Sequence, residues 1–394
     1  MSLKRQLLVS FGLQGAGAAA VLLAMLLLGT RLGPDVQGGF SRVKAEIEFA
    51  AAFAMFGLPQ ALFFYVKSGA MTGRSALRWA FGCALLAFPI GVLYAAWHRE
   101  AAWTLLLMGA AVAAAVAHGQ LRALLLVRER VVWFNVLTAL PQVLVLIGVL
   151  HVLVRGTIDA MQWLLLFAVA YAVAATISGW RLRAAFDAPA TSRVAWRTLG
   201  HYGLAAWLTA TLATAAVLLV QRWVEAAQGR AALGQFTMAM TLVQVPLTPI
   251  SYAAPLLLRR WMEQPGAAAS RRGAMLVFGV LLVVAALMWI ASSVWPDLGL
   301  GTAYAGTTSA LAVLLAGGAA EAASRVLTVQ ASASGRPWIG VRAEAARWAV
   351  LAIGWWVLPQ PALLPVCVVW AVGAWAAALV FVTSPRGDVI GLAV

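Results

Sequence analysis

The sequence predicts an all-α integral membrane protein with about twelve transmembrane helices. Three observations support this prediction: 63% of the 394 residues are hydrophobic, only 10% are charged, and the mean hydropathy is +0.90. A soluble domain is about half apolar and about a quarter charged, so this composition excludes a soluble globule. Lys and Arg number 28 against 13 Asp and Glu, and the positions of these residues explain the excess without a nucleic-acid partner.

Each predicted span is a run of about 20 mostly apolar residues, which is the length that crosses a bilayer core. Charged residues open the second span, close the tenth and lie within the eleventh. The predicted spans are 6–30, 42–66, 76–97, 101–124, 131–154, 160–182, 198–222, 232–258, 273–295, 306–329, 338–358 and 362–383.

Basic residues indicate which side of the membrane each connection faces. The first span follows Lys4 and Arg5, and its apolar stretch exceeds that of a cleaved signal peptide, so it is predicted to be a retained signal anchor. With this end in the cytoplasm, roughly three quarters of the Lys and Arg fall in cytoplasmic connections, as the positive-inside rule requires. We therefore predict a multi-pass protein of the cell membrane with both termini cytoplasmic.

An internal repeat relates the two halves of the chain. Gly38-Gly39-Phe40-Ser41 corresponds to Gly234-Gln235-Phe236-Thr237, and Pro59 corresponds to Pro255 at the same offset, close to half the chain length. The longest cytoplasmic connection lies near the midpoint. The predicted domains are an N-terminal six-helix lobe (1–184), a cytoplasmic linker (185–197) and a C-terminal six-helix lobe (198–394). Parallel six-helix repeats are a transporter architecture in which the substrate passes between the halves.

Several segments resemble polysaccharide exporters of the Wzx type. The opening of that family is similar to residues 32–40 (Leu-Gly-Pro-Asp-Val-Gln-Gly-Gly-Phe) followed by Gly57-Leu58-Pro59-Gln60-Ala61-Leu62. Its fourth-to-fifth helix connection is similar to Gln120-Leu121-Arg122 with Arg130 and Asn135, and the counterpart in the second half to Gly335-Arg336-Pro337. These exporters share the MOP superfamily with the multidrug and toxin extruders (MATE) and the lipid II flippase.

The resemblance implies a MATE-like, V-shaped bundle of two lobes. Such a bundle would move a lipid-linked oligosaccharide from the cytoplasmic to the outer leaflet by alternating access. The chain departs from the lipid II branch, which has basic residues after its Leu-Pro segment, because residues 61–66 are wholly apolar here. This difference argues against lipid II as the substrate.

Basic residues inside predicted spans are the candidates for substrate binding. A charge at the bilayer centre costs at least about 2.5 kcal/mol, so such a residue needs a partner or a wet cavity. Arginine suits a pyrophosphate because its planar group holds phosphate oxygens bidentately and stays charged. Arg347 is instead predicted to snorkel to the interface. The substrate-binding candidates are Arg42, Lys44, Arg122, Arg325 and Arg342.

Three carboxylates, Glu46, Glu48 and Glu321, are candidates for coupling transport to a proton or cation. Each lies four residues from a basic residue, in the pairs Arg42–Glu46, Lys44–Glu48 and Glu321–Arg325, so mutual neutralisation on one helix is the alternative interpretation. The two pairs of span two lie about 200° apart on the helix, so one pair is predicted to face the cavity between the lobes and the other a neighbouring helix or the headgroups.

Other polar and helix-breaking residues have narrower expected roles. Pro59, Pro249 and Pro255 fall inside spans, where each removes a helical hydrogen bond, and they are predicted to permit bending during gating. Gly317 and Gly318 are predicted to allow close helix approach. His118 is predicted to be a hydrogen-bonded polar residue rather than a proton shuttle.

These observations predict a flippase for a polyprenyl-pyrophosphate-linked oligosaccharide in O-antigen, capsule or exopolysaccharide assembly at a bacterial inner membrane. Two alternatives are a cation-coupled drug or metabolite antiporter of the same fold and a non-transporting scaffold for polysaccharide synthesis enzymes. The expected partners are the lipid-linked oligosaccharide, membrane lipids, and a polymerase or glycosyltransferases, with the protein a monomer. No motif for nucleophilic catalysis, metal binding or nucleotide binding occurs, so neither an enzyme nor a cofactor or metal is predicted.

Overall fold

The computed structural model describes residues 3–67, 69, 71–98, 100–127, 130–155, 159–182, 196–263, 269–334 and 336–384. Within these ranges the structure describes the backbone alone for residues 3–7, 64, 67, 127, 196–202, 249–263, 269–277 and 333. The predicted linker falls outside the described residues except for 196–197. Every regular element in the described ranges is a helix and none is a strand, which confirms the all-α class.

The described chain forms twelve α-helices and one short 3-10 turn, Thr302–Tyr304. Helices α2 and α3 together cover the predicted second span, and α8 covers the seventh and eighth. The helices are α1 (Leu3–Leu32), α2 (Pro34–Ala54), α3 (Leu58–Lys67), α4 (Gly73–Trp97), α5 (Ala102–Val127), α6 (Val131–Arg155), α7 (Ala160–Leu182), α8 (Trp196–Glu263), α9 (Ala269–Ala291), α10 (Thr307–Ala333), α11 (Trp338–Val357) and α12 (Leu363–Thr383).

Eight helical segments among the described residues are long and apolar enough to cross a membrane. One of them, 203–248 within α8, holds parts of two predicted spans. Helices α2 and α11 are not among the eight, because each carries several charged residues within one short helix. The chain is a multi-pass membrane protein.

A glycine with positive φ separates the first two helices of each half. Gly33 has φ +87° between α1 and α2, and Gly229 has φ +85° inside α8. Glycine is favoured at such angles because a Cβ atom would be strained there. Gly229 divides α8 into two helices, which we call α8a (196–228) and α8b (230–263). Gly33 and Gly229 are separated by the same number of residues as the repeated segments that begin at Gly38 and Gly234. The correspondence between the two halves therefore includes this turn.

Contacts within the chain define two compact units. Unit 1 contains residues 1–24 and 42–215, and unit 2 contains 25–41 and 216–394. Unit 1 therefore takes most of α2, all of α3 to α7 and the beginning of α8a. The start of α2 belongs to unit 2 together with α8b and α9 to α12.

Small residues allow close helix packing in both units. In unit 1, a Cβ atom on Gly91 of α4 would lie 2.9 Å from the Cα atom of Gly109 on α5. In unit 2, a Cβ atom on Gly317 of α10 would lie 2.8 Å from the Cα atom of Ala371 on α12. Close backbone approach is how membrane helices gain van der Waals contact, because lipid supplies no hydrophobic force between them. The expected close approach at Gly317 is confirmed.

The repeated segments meet each other within unit 2. A Cβ atom on Gly38 would lie inside van der Waals contact of the Arg230 carbonyl oxygen, and one on Gly234 would do the same to the Pro34 carbonyl oxygen. Pro34 precedes Gly38 by four residues, as Arg230 precedes Gly234. The contacts are thus reciprocal, as they are around a local two-fold axis.

A hydrogen bond joins the hydroxyl positions of the same repeat. The Ser41 hydroxyl donates to the Thr237 hydroxyl over 3.1 Å, and the two residues are 196 positions apart. Thr237 in turn donates to the Gly234 carbonyl oxygen at 3.2 Å. The two phenylalanines, Phe40 and Phe236, are both buried. These contacts bring the two copies of the predicted repeat together within unit 2.

The crossing predicts different effects for two adjacent glycines of α2. Gly38→Ala is expected to lower the melting temperature in detergent by several degrees, because the added methyl group overpacks the contact with Arg230 and overpacking costs about 1–3 kcal/mol. Gly39→Ala is the matched control, since a Cβ atom there meets nothing within 4 Å. Equal melting temperatures for the two variants would show that the crossing tolerates a wider separation.

Candidate functional site

The predicted second span is broken into α2 and α3 beside the polar part of unit 1. Phe56 and Gly57 have positive φ values of 49° and 66°, which ends α2 and turns the chain into α3. A Cβ atom on Gly57 would clash with the Gly203 carbonyl oxygen of α8a. Pro59 therefore lies in the first turn of α3, where a missing N–H has no cost, and not inside a continuous helix as the sequence predicts.

Side chains from three other helices cap the carbonyl groups that the break exposes. Such groups need partners because the last carbonyls of a helix have no intrahelical donor. The three bonds run from Trp207 Nε1 to Phe53 O at 2.7 Å, from Cys83 Sγ to Ala54 O at 3.0 Å, and from Gln120 Nε2 to Met55 O at 3.3 Å. The break is thus a supported feature of the fold.

Unit 1 contains a cavity of about 320 Å³ next to this break. Its wall is formed by α2, α3, α5, α6, α7 and α8a, so nearly every helix of the unit contributes. About half of the lining side chains can donate or accept hydrogen bonds, which is unusual for the interior of a membrane helix bundle. The polar lining residues are Glu48, Gln60, His118, Arg122, Thr138, Gln142, Tyr171 and Thr214. We call this space the unit 1 cavity.

Arg122 of α5 is held against α6 at the wall of this cavity. Its Nη1 atom donates to the Thr138 hydroxyl at 3.4 Å, and its guanidinium carbon lies 5.5 Å from the centre of the Phe134 ring. Thr138 itself donates to the Phe134 carbonyl oxygen at 2.6 Å, which fixes the hydroxyl that accepts from arginine. The guanidinium group presents its N–H donors in a fixed planar fork, which is the geometry that holds phosphate oxygens bidentately.

Two further polar residues of the lining have distinct environments. His118 Nε2 lies 2.8 Å from the Leu137 carbonyl oxygen, and because a carbonyl group only accepts, this nitrogen carries a hydrogen. His118 is buried, and the predicted hydrogen-bonded role is confirmed. The Gln142 Oε1 atom is buried and accepts no hydrogen bond from described protein atoms. Gln142 follows Thr138 by four residues, and this helical spacing of polar residues on an apolar span is the signal by which it could have been found.

The two predicted ion pairs of α2 are confirmed. Arg42 Nε lies 3.1 Å from Glu46 Oε1, and Lys44 Nζ lies 2.7 Å from Glu48 Oε1. Glu48 is the member of these pairs that lines the unit 1 cavity. The two pairs therefore have different environments, as their angular separation on the helix predicts.

Unit 2 contains a network of two arginines and two glutamates, of which Arg347 and Glu344 are buried and Arg325 and Glu321 are half-buried. Arg325 Nε lies 3.3 Å from Glu321 Oε1, as their spacing on α10 predicts, and Arg325 Nη2 donates to Gln244 Oε1 of α8b at 3.3 Å. From α11, Arg347 Nη2 donates to Glu321 Oε2, and Arg347 Nε lies 3.6 Å from Glu344 Oε2. The formal charges of the two arginines and two glutamates cancel. The network therefore has a structural role, in which the bond from Arg347 to Glu321 connects α11 to α10.

The structure corrects the prediction for Arg347. Its side chain is only 2% exposed and its guanidinium carbon lies 5.3 Å from the centre of the Trp370 ring, so it does not snorkel to the interface. Arg342, a predicted substrate-binding residue, is exposed instead. Five residues separate the two, which is about 140° around the helix, and α11 turns the Arg347 side toward α10 and α12. Two carboxylates compensate the buried charge there, which removes the reason to snorkel.

The structure thus distributes the predicted substrate-binding residues among several surroundings. Arg122 lines the unit 1 cavity, Arg42 and Lys44 are ion-paired on α2, Arg325 belongs to the unit 2 network, and Arg342 is exposed. Among the coupling candidates, Glu48 lines the cavity and Glu321 is paired with two arginines. The side chains of Pro249 and Pro255 lie outside the described residues.

Several solved structures of MOP superfamily transporters have a similar arrangement of helices. The lipid II flippase MurJ in an inward closed conformation has a TM-score of 0.70 and 8% identity, covering 95% of this chain and 87% of that chain. A MATE structure in the straight conformation has a TM-score of 0.69 and 15% identity, covering 95% and 93%. This chain has the fold of the MATE and MurJ transporters.

A third structure with the MATE and MurJ fold is a MOP superfamily transporter from Pyrococcus furiosus, for which a reversed polarity of the binding pocket suggests a different function. It has a TM-score of 0.66 and 13% identity, and it covers 96% of this chain and 94% of that chain. No protein-family model matches the sequence, and no curated protein matches it. The low identities mean that the likeness concerns the fold, while the polar residues have to be interpreted from their own contacts.

The unit 2 network predicts unequal effects for the two arginines of α11. Arg347→Gln is expected to destabilise the protein by about 3 kcal/mol or more, because Glu321 and Glu344 would keep a buried negative charge without its main partner. Arg342→Gln is the control on the same helix and should leave stability nearly unchanged, because Arg342 is exposed. Thermal unfolding in detergent measures both, and similar shifts would contradict a role for the network in stability.

Proposed function

We propose that this protein is a transporter that moves a polyprenyl-pyrophosphate-linked oligosaccharide across the cytoplasmic membrane of a bacterium by alternating access. Its fold is that of known transporters, among them a lipid II flippase. The observation that carries the proposal is Arg122, held by Thr138 and Phe134 at the wall of the unit 1 cavity. No covalent bond is made or broken in the proposed activity.

The chemistry of the cavity wall suits the head of such a lipid. A pyrophosphate is at least doubly negative and cannot cross hydrocarbon alone, whereas its polyprenyl tail can remain among the lipids. Arg122 offers N–H groups to the phosphate oxygens. The side chains of Gln60, Gln142 and Thr214 can exchange hydrogen bonds with sugar hydroxyl groups.

The size of the cavity limits what it can hold. A volume of about 320 Å³ equals roughly ten water molecules at about 30 Å³ each. This is enough for a diphosphate together with one sugar ring, but not for a whole oligosaccharide. We therefore propose that the unit 1 cavity takes the charged head of the lipid and its first sugar, and that the rest of the glycan lies outside it.

A cation-coupled antiporter is a second candidate, and Glu48 favours it. This carboxylate lines the same cavity, and Lys44 neutralises it at 2.7 Å. If Glu48 bound a proton or a cation, it would lose its contact with Lys44 and the charge of the cavity would change. Such a link between ion binding and the binding site is what an antiporter needs. The same exchange could also drive a flippase, so Glu48 bears on coupling rather than on the identity of the substrate.

The biological setting remains part of the proposal. Assembly of a surface polysaccharide in the inner membrane would place the protein beside a polymerase or glycosyltransferases. The lipid-linked oligosaccharide would be the transported molecule, and the surrounding membrane lipids would contact the exposed apolar side chains of the helices.

Reconstituted vesicles test the proposed transport directly. The substrate is a polyprenyl diphosphate with a fluorescent sugar, and its transfer between leaflets is measured by its loss of protection from a membrane-impermeant quencher. Arg122→Gln is expected to slow the transfer at least tenfold, because the cavity loses its contact with the phosphates. Arg155→Gln is the matched control, since Arg155 is exposed at the far end of α6, and it should transfer lipid at the wild-type rate.

Two results would contradict the flippase proposal. One is a transfer rate in Arg122→Gln equal to that of the wild type. The other is absence of lipid transfer by wild-type vesicles that nevertheless exchange a small organic cation against protons or Na⁺, with this exchange lost in Glu48→Gln. The second result would establish the antiporter instead.

A further inference from the structure

An arginine lies between two tryptophans at the end of α7. The guanidinium carbon of Arg181 is 3.6 Å from the centre of the Trp133 ring and 4.4 Å from the centre of the Trp180 ring. Contact with both rings restricts the planar group to one orientation. Trp133 belongs to the first turn of α6, so the stack joins the beginning of α6 to the end of α7.

A second arginine is attached to the same place. Arg130, which directly precedes α6, donates from Nη1 to the Arg181 carbonyl oxygen at 2.7 Å. This bond uses one of its five N–H donors. The N-terminal end of α6, with its unpaired N–H groups and its positive end of the helix dipole, begins at the next residue. Two cations and a helix end of the same sign are therefore concentrated in a small region.

The described part of the chain supplies no negative charge to this region. Neither Arg130 nor Arg181 has a carboxylate within ion-pair distance among the described residues. Arg325 and Arg347 of the unit 2 network, in contrast, are both paired with Glu321. Two guanidinium groups at one helix end, with no carboxylate partner among the described residues, suit an anionic ligand such as a phosphate.

The position of the two arginines favours a lipid over a dissolved anion. Trp180 is 52% exposed on a helix that crosses the membrane, and an amphipathic ring at a helix end lies at the headgroup level. The positive-inside distribution predicts that this end of α6 and α7 faces the cytoplasm. Basic residues beside aromatic ones at that level are suited to phosphate groups of the cytoplasmic leaflet.

We propose that Arg130 and Arg181 form a binding site for the phosphate of an anionic membrane lipid, with Trp133 and Trp180 holding Arg181 in position. The lipid binds at the cytoplasmic ends of α6 and α7, away from the residues that line the unit 1 cavity. The site is independent of the proposed transport, since it requires only a phosphate headgroup and the ends of two helices.

Native mass spectrometry of the full chain in detergent tests the site. The probe is phosphatidylglycerol, with phosphatidylcholine as the zwitterionic comparison, and the readout is the fraction of protein that retains one lipid. The wild type is expected to retain phosphatidylglycerol in preference to phosphatidylcholine. Arg130→Gln should lower that fraction at least fivefold, whereas Arg155→Gln, at the opposite end of the same helix, should not change it.

A conservative variant separates lipid binding from folding. Arg130→Lys keeps the charge and is expected to keep most of the retained phosphatidylglycerol. Equal retention of the two lipids by the wild type would overturn the proposal, and so would equal losses in Arg130→Gln and Arg155→Gln. Displacement of the lipid by inorganic phosphate at millimolar concentration would also overturn it, because the site would then recognise a free anion.

Discussion

A charged side chain inside hydrocarbon needs either an opposite charge or a polar cavity, and both units of this protein meet that requirement in different ways. In unit 2, Arg347 is enclosed by Glu321 and Glu344, and with Arg325 included the formal charges cancel. In unit 1, Arg122 contacts a hydroxyl group and an aromatic ring at the wall of a polar cavity. Compensation stabilises the first site, and the second places a cation where a ligand can reach it. The contrast between them is the basis for assigning structure to one and binding to the other.

Much of the fold follows from the sequence because membrane insertion depends on averages over many residues. Runs of apolar residues predict most helices, and Gly38, Gly234, Phe40 and Phe236 predict a repeat whose two copies contact each other in the structure. The break after α2 is harder to predict, since Phe56 adopts a positive φ that its type disfavours and that Gly57 alone does not explain. Side chains from α4, α5 and α8a make this break possible, and contacts so distant in sequence leave no local pattern. The lobe boundary at 185–197 stays a prediction.

The site shows the same division between local and long-range information. Spacing of four residues predicts the pairs of α2 and α10 correctly, because both partners lie on one helix. It does not predict the bond between Arg347 and Glu321, because the rotation of α11 against α10 depends on packing. Arg342 and Arg347 have similar sequence surroundings, yet one is exposed and the other is buried. The depth of a charge along a helix can be estimated from sequence, but its direction around the helix cannot.

The reciprocal crossing of α2 and α8b is formed by very few residues. Gly38 packs against Arg230 and Gly234 packs against Pro34, which is the geometry of an isologous contact in a symmetric dimer. Because such a contact depends on small residues at the crossing alone, the other helices of the two halves can differ in side chains and charge without disturbing it.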